Sequence, residues 1–379
     1  MTVDQHCHSV LAGQVDDRAF AALLTESDRP PAPATTPWDS QLGFAVRRFC
    51  APVLGLPAHA PAVDYLAARR AVGPVESTAR LLRTAGLDTL LVDTGVAEPR
   101  GERLLDLREL AEAADARAYE VVRLERVAER TVRGATAETY PTALEDALHG
   151  AVAEAVGVKS VLAYRFGLDI DPEPPSPREV RAAAGGWLRR IDKGESELPG
   201  REPRLTDPVL LRHLLWRAVD LGLPIQLHTG FGDPDLTLHR ADPSLLTPFV
   251  RAVEPTGARL VLLHCWPYHR QAAWLAHAFP HVYADIGLTV SYAGAAARRV
   301  LSEVLEVAPF GKVLFSTDAY ALPELFLVGA AQFEAALDVV LGEWTAGGAW
   351  SAADASRIAV MLRSANARRL YALPDRPRY

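Results

Sequence analysis

With 379 residues, 49% of them hydrophobic, the chain can bury a large core and reads either as two domains or as one α/β barrel with insertions. The net charge is 40 − 47 = −7 with basic residues scattered, which argues against nucleic-acid and membrane-surface partners and for a small-molecule one. Three cysteines, Cys7, Cys50 and Cys265, give an odd count without zinc-finger spacing, so no disulfide framework is expected and a reducing cytoplasm is. The start lacks a basic-then-apolar leader, and no run approaches the roughly 18 apolar residues of a membrane span, so the expectation is a soluble, unprocessed protein.

The first stretch, Val3-Asp4-Gln5-His6-Cys7-His8, reads as a strand. Side chains alternate faces along a strand, so His6 and His8 point the same way and can reach one metal ion, with Cys7 on the opposite face. From Ser9 to about Pro74 the pattern changes. Helical stretches at Arg18 to Thr25, Asp39 to Leu54 and Ala62 to Ala71 surround a loop with Pro30, Pro31, Pro33 and Pro37. That is too long for an ordinary connection, so 9–74 is read as a helical insertion near the top of the fold, a lid or partner surface. Arg47, Arg48 and Arg70 within it are read as solvated helix faces.

Beyond Val75 the chain alternates helices with short β-branched-rich runs. The runs are Thr89 to Asp93, Ala118 to Glu125, Ser160 to Arg165, Leu223 to His228, Leu260 to His264, His281 to Ile286 and Val313 to Asp318. A second excursion, Pro172 to Pro203, carries one helix around Arg178 to Ile191. Two further helices, Glu324 to Ala346 and Ala352 to Leu373, are expected to pack outside the barrel. With the first strand the runs number eight, which predicts a closed (β/α)₈ barrel over 1–379 as a single domain.

Barrel enzymes carry their chemistry at the C-terminal ends of the strands. Those ends hold His6 and His8, Asp93, Glu125, Tyr164 with Arg165, His228, His264, Asp285 and Asp318. Lys159 is placed at the start of its strand, facing the bottom, which disfavours a carboxylated lysine bridging two metals. Three imidazoles and a carboxylate suit one divalent ion, Zn²⁺ first, with Mn²⁺ or Fe²⁺ as alternatives. We assign coordination to His6, His8, His228 and Asp318. Asp318 also takes a proton from the attacking water, and His264, just off the metal, polarises substrate or shuttles a proton. Arg165 is expected to bind a substrate carboxylate. Trp266, Tyr268 and Tyr320 are read as walls of an apolar pocket, with Trp266 and Tyr320 assigned to substrate binding. Glu125 is expected to pair with Arg123 or Arg126.

These residues resemble the metal-dependent amidohydrolase superfamily, and within it the amidohydrolase-2 branch of mononuclear hydrolases and non-oxidative decarboxylases related to aminocarboxymuconate-semialdehyde decarboxylase. The stretches Ala163-Tyr164-Arg165-Phe166-Gly167-Leu168-Asp169, Leu227-His228-Thr229-Gly230-Phe231-Gly232-Asp233 and Ser316-Thr317-Asp318-Ala319-Tyr320 look like the amidohydrolase domain that precedes glutamine-synthetase-like domains in some fusion proteins. The resemblance implies the same ligands, His6, His8, His228 and Asp318, with His264 catalytic. The leading expectation is hydrolysis of an amide or other C–N bond by a metal-bound hydroxide. Non-oxidative decarboxylation, oxygen activation at iron or manganese, and a binding-only barrel are the alternatives. A homo-oligomer is expected.

Overall fold

The computed structural model describes residues 1–96, 101–194 and 203–374. Its frame is a single sheet of eight strands in sequence order: β1 (Thr2–Cys7), β2 (Leu87–Asp93), β3 (Arg117–Arg123), β4 (Gly157–Ser160), β5 (Ile225–Thr229), β6 (Leu260–His264), β7 (Val282–Asp285) and β8 (Val313–Leu314). All neighbours pair in parallel. Every residue of β1, β2, β5 and β6 is buried, as expected of parallel strands covered on both faces. The stretch after β8 meets β1: Gln5 N donates to Phe315 O at 3.1 Å, Asp318 N to His6 O at 3.0 Å and His8 N to Ala319 O at 2.8 Å. The result is a nearly closed TIM barrel.

Two strand boundaries differ from the sequence reading. β3 stops at Arg123, and Glu125 lies in the first turn of the following helix, Leu124–Thr131. β4 occupies Gly157–Ser160, and Leu162–Arg165 is a helical turn after it. The apolar run Val161-Leu162-Ala163 resembles a strand in composition, but the chain has already used Val158 and Ser160 to span the barrel wall.

The insertion after β1 carries helices Asp17–Ala22, Gln41–Phe49 and Ala62–Val72. Asp16 and Ser40 cap the first two by accepting from Ala19 N and Gly43 N. Phe20, Trp38 and Tyr65 pack ring to ring beneath them. Tyr65 OH and Arg69 Nε both donate to Glu324 Oε1, at 2.8 and 2.6 Å, and all three side chains are buried. Glu324 opens helix Pro323–Ala346, so a buried ion pair pins the insertion to the segment that follows β8.

By length and composition alone, Pro323–Ala346 is apolar enough to cross a membrane, with a mean hydropathy of 1.6, though Glu324, Gln332, Glu334 and Asp338 break it into shorter apolar runs. Its apolar length has another use here. Phe326, Val328, Phe333 and Leu337 are fully buried against the barrel's outer layer. In the second excursion, helix Pro177–Asp192 starts at a capping box of Ser176 and Glu179, and 195–202 lies outside the described residues. The three cysteines are buried and unpaired.

The chain end also departs from expectation. After helix Ala352–Val360 and a π turn, Asn366–Leu370 leads Tyr371 beneath the barrel. Ala367, Leu370, Tyr371 and Leu373 pack against Val3, Leu91, Val121, Val261, Leu263 and Leu314 in one cluster inside the strands. This segment plugs the barrel floor rather than lying outside it.

Candidate active site

At the barrel's other end the interior turns polar. Gln5 faces inward, accepting at Oε1 from Tyr371 OH at 2.7 Å. The pairing of β1 with β2 is irregular between Asp4 and Cys7. This shift in phase lets His6 follow Gln5 inward while Cys7 joins the apolar layer outside. Two adjacent inward residues are what the alternation argument could not foresee.

Both histidines are held by Nδ1. His6 Nδ1 bonds Gln226 Oε1 at 2.8 Å, and Gln226 Nε2 donates to Gln5 O at 2.7 Å, so the amide oxygen accepts and His6 Nδ1 donates. His8 Nδ1 donates to Asp93 O at 3.1 Å. Each ring therefore presents an Nε2 lone pair, and the two converge on Asp318 Oδ1 at 3.0 and 3.3 Å. Burial, then the charge of Lys159, pushes His6 down to about 4. Burial alone would raise Asp318, but the surrounding imidazoles, His264 foremost, hold it well below the usual carboxylate range. Two imidazoles and a carboxylate thus crowd one point, and Asp318 Oδ1 has no hydrogen-bond donor among the described residues. Their ligand atoms lie within 4.8 Å of one another. That electron-rich set fits a divalent cation.

His228 and His264 stand beside this trio. The His228 ring lies 4.5 Å from His264 and 4.4 Å from Tyr164, and its buried Nε2 has no partner among the described residues. His228 falls outside the close group formed by His6, His8 and Asp318. A side chain at Gly232 would sit 2.0 Å from Tyr164 Oη and 3.0 Å from His228 Nε2, so only glycine leaves this wall open.

His264 reaches the site by a backbone turn. Val261 and Leu263 face the interior, so strict alternation would send His264 outward. Instead His264 and Cys265 take φ of 66° and 65°, and the ring swings to 5.7 Å from His6, with Nε2 3.6 Å from Asp318 Oδ2. Asp318 itself has φ 51°. Left-handed backbone at such residues costs on the order of 1 kcal/mol each and clusters where function needs it. Asp285 braces the turn, accepting at Oδ2 from His264 N at 3.3 Å, Gly287 N at 3.0 Å and Ser316 Oγ at 2.9 Å.

Lys159 corrects the sequence reading. It is the third residue of β4, buried, with Nζ 3.3 Å from His6 Nε2, so it faces the site and not the floor. Burial pushes its amine down to about 8. Glu125 pairs with neither arginine: Oε1 accepts from Ser160 Oγ at 2.6 Å and Val161 N at 3.1 Å, tying the end of β4 to β3. Arg123 instead grips Asp93 Oδ2 through Nη2 and Nε, at 2.6 and 3.0 Å. Burial disfavours the Asp93 charge, yet Arg123 outweighs it and holds the carboxyl well below its ordinary value.

A cavity of about 510 Å³ opens over the trio. Arg123, Lys159, Arg165 and Arg204 line it, as do Glu26 from the insertion and Tyr292 after β7. Arg165 Nη2 pairs with Glu129 Oε1 at 2.9 Å. Tyr320 lines the cavity 5.8 Å from the His8 ring. Trp266 is not among the lining residues; it is 38% exposed and rests on Phe231, so it flanks the site from outside. Sequence reasoning passed over Arg123, Lys159, Glu26 and Tyr292. A strand-four reading begun at Gly157 would have found Lys159, whereas nothing local marks Glu26, which depends on how the insertion folds back.

Comparison with known proteins accords with this geometry. The family model Amidohydro_2, described as Amidohydrolase, matches residues 59–373. Protein fluG of Emericella nidulans is 32% identical over 229 residues, which make up 59% of this chain and 26% of fluG; the chain thus spans well under half of that relative. A proposed metal-dependent hydrolase from Lactobacillus casei superposes with a TM-score of 0.85 at 27% identity, covering 98% of this chain and 95% of that one. Uronate isomerase from Thermotoga maritima shares the fold, with a TM-score of 0.61 at 14% identity over 98% and 94% of the two chains. The chain belongs to the amidohydrolase family.

Proposed function

We propose that the protein is a metal-dependent hydrolase that cleaves an amide or other C–N bond of a small, carboxylate-bearing substrate. The observation that carries this reading is the convergence of His6 Nε2 and His8 Nε2 on a donorless Asp318 oxygen. A divalent ion held there by His6, His8 and Asp318, with His228 alongside, would acidify a water and polarise the scissile carbonyl; zinc suits this donor set best, and manganese or iron also fit it.

The remaining steps belong to the chain. Asp318, kept ionised by its neighbours, is the base that accepts the proton of the attacking water. His264 Nε2, 3.6 Å from Asp318 Oδ2, is placed to receive that proton and deliver it to the departing nitrogen. Arg165, with Arg123 and Lys159, supplies positive charge for a substrate carboxylate. The insertion roofs the cavity through the segment around Glu26 and limits water entry. The small-molecule partner and a homo-oligomeric assembly belong to the same proposal.

The test is turnover of N-acyl amino acids and amino-acid amides by zinc-loaded protein in ¹⁸O-labelled water. Hydrolysis puts one solvent oxygen into the released carboxylate. Release of carbon dioxide without label would replace this reading by decarboxylation, and oxygen consumption would replace it by oxidative chemistry.

A further inference from the structure

The cavity is lined by cations, Arg123, Lys159, Arg165 and Arg204, and by the carboxyls of Glu26, Asp28, Asp233, Asp235 and Asp318, of which Asp235 is paired with Arg204. In a ring of eight strands taken in order, β3 and β4 lie across the barrel from β7 and β8. Arg123 ends β3, Lys159 sits in β4 and Arg165 follows it, so the cationic wall belongs to one side. Tyr292 belongs to helix Gly287–Ala293 after β7, on the other side, and its hydroxyl donates to Glu26 Oε1 at 2.9 Å. The Tyr292 ring is itself fixed 5.2 Å from Phe231. His8 and Asp318 of the trio line the same cavity.

Glu26 lacks compensation. Among the described residues no ion pair joins it, and the charges that act on it most, Asp318 and Asp233, have its own sign. Together with burial they push its carboxyl up to about 7. A carboxylate facing like charges in a half-buried wall gains most from a cation brought by a ligand. On the opposite wall, Arg123 spends Nε and Nη2 on Asp93, Arg165 spends Nη2 on Glu129, and Lys159 has no carboxylate within ion-pair distance among the described residues.

We propose that this site selects substrates carrying a carboxylate at one end and a protonated nitrogen at the other, with Glu26 as the group that binds the nitrogen. The substrate class is therefore zwitterionic, of amino-acid type, with the reacting bond between the two charges. This deepens the hydrolase reading and rests on it for the reacting bond, while the charge selection stands on the cavity alone.

Calorimetric titration of zinc-loaded protein tests it without requiring turnover. The probes are γ-aminobutyrate, δ-aminovalerate and ε-aminocaproate, each against its parent acid, butyrate, valerate or caproate. At least one amino acid should bind about tenfold more tightly than its parent. Glu26→Gln should bring that ratio close to one and leave the parent acid's Kd unchanged, whereas Glu26→Asp should keep part of the preference. Equal binding of amino acid and parent by the wild type, survival of the preference in Glu26→Gln, or failure of all six to bind overturns the proposal. If the preference is found but no amide is cleaved, the hydrolase reading falls and the charge selection stands. If amides are cleaved without the preference, the reverse holds.

Discussion

The two ends of this barrel are built from the same strands and solve opposite problems. At the floor, Tyr371, Gln5 and Gln226 bond to one another, with Gln5 Nε2 left without a partner among the described residues, and Val3, Leu91, Val261 and Leu263 close around the C-terminal segment. At the top, two imidazole nitrogens converge on a carboxylate oxygen that has no donor among the described residues, with Lys159 Nζ 3.3 Å from His6 Nε2. Apolar packing governs one end; the other gathers metal-ligating groups, with left-handed backbone at His264 and Asp318. The contrast teaches that stability and chemistry are separated along the barrel axis, with the bond between Gln226 and His6 linking the two.

The sharpest way to break that comparison is at Asp318. Asp318→Asn removes the charge that both histidines face, and turnover should fall by about a thousandfold or more, with bound metal lost. Elemental analysis beside a rate assay checks both, and a variant that kept its metal and activity would remove Asp318 from the centre of the site. At the floor the expectation reverses. Leu263→Ala should cost about 2–5 kcal/mol of unfolding free energy in denaturant titrations, while metal content per folded chain stays constant.

Gln226 tests the joint between the ends. Gln226→Leu frees the His6 ring from its only Nδ1 partner among the described residues, and metal affinity should drop by about 10- to 100-fold in competition with a chelator. Unchanged affinity would mean that strand packing alone orients His6. Tyr371→Phe, one bond further down, removes hydroxyl contacts to Gln5 and Gln226 and should cost about 1 kcal/mol of stability with a lesser loss of affinity.

The smallest effect concerns pH at the roof. Glu26 keeps a proton up to about 7 in the folded state, whereas the unfolded chain releases it in the ordinary carboxylate range. The folded state thus binds more protons between those limits, and this group's contribution to stability declines as pH rises through that window, levelling above 7. The loss should be about 1 kcal/mol once screening at a half-exposed position is allowed for, and Glu26→Gln should flatten it. An identical pH profile for the two proteins would show that Glu26 titrates as a solvated side chain.

Much of this was legible in the sequence because barrel strands are short apolar runs that end on polar residues. His228, His264 and Asp318 follow such runs, His6 and His8 are marked by their two-residue spacing on the first strand, and the fold brings all five to one end. What escaped were features set by phase. Lys159 was hidden by a strand-four reading placed too late, and the irregularity in β1 and the left-handed backbone at His264 are conformations that no alternation rule encodes. Trp266 illustrates the opposite error: it directly follows a strand-end stretch, yet that stretch turns it away from the cavity. Glu26 and Tyr371 escaped for a third reason, since each acts where tertiary folding delivers it, far from its neighbours in sequence.

The seam between β1 and the stretch after β8 has a consequence for how the molecule comes into being. Asp4 binds Thr317 N at 2.9 Å across 313 positions of chain, and His6 and His8 meet Asp318 through the same seam. Contacts of such sequence separation form late, because the entropy of closing the chain must be met before they give anything back. A chain emerging from the ribosome therefore exposes His6 and His8 long before the carboxylate that completes the trio exists. An ion captured after closure would act as a rivet across the seam, slowing unfolding more than it speeds folding.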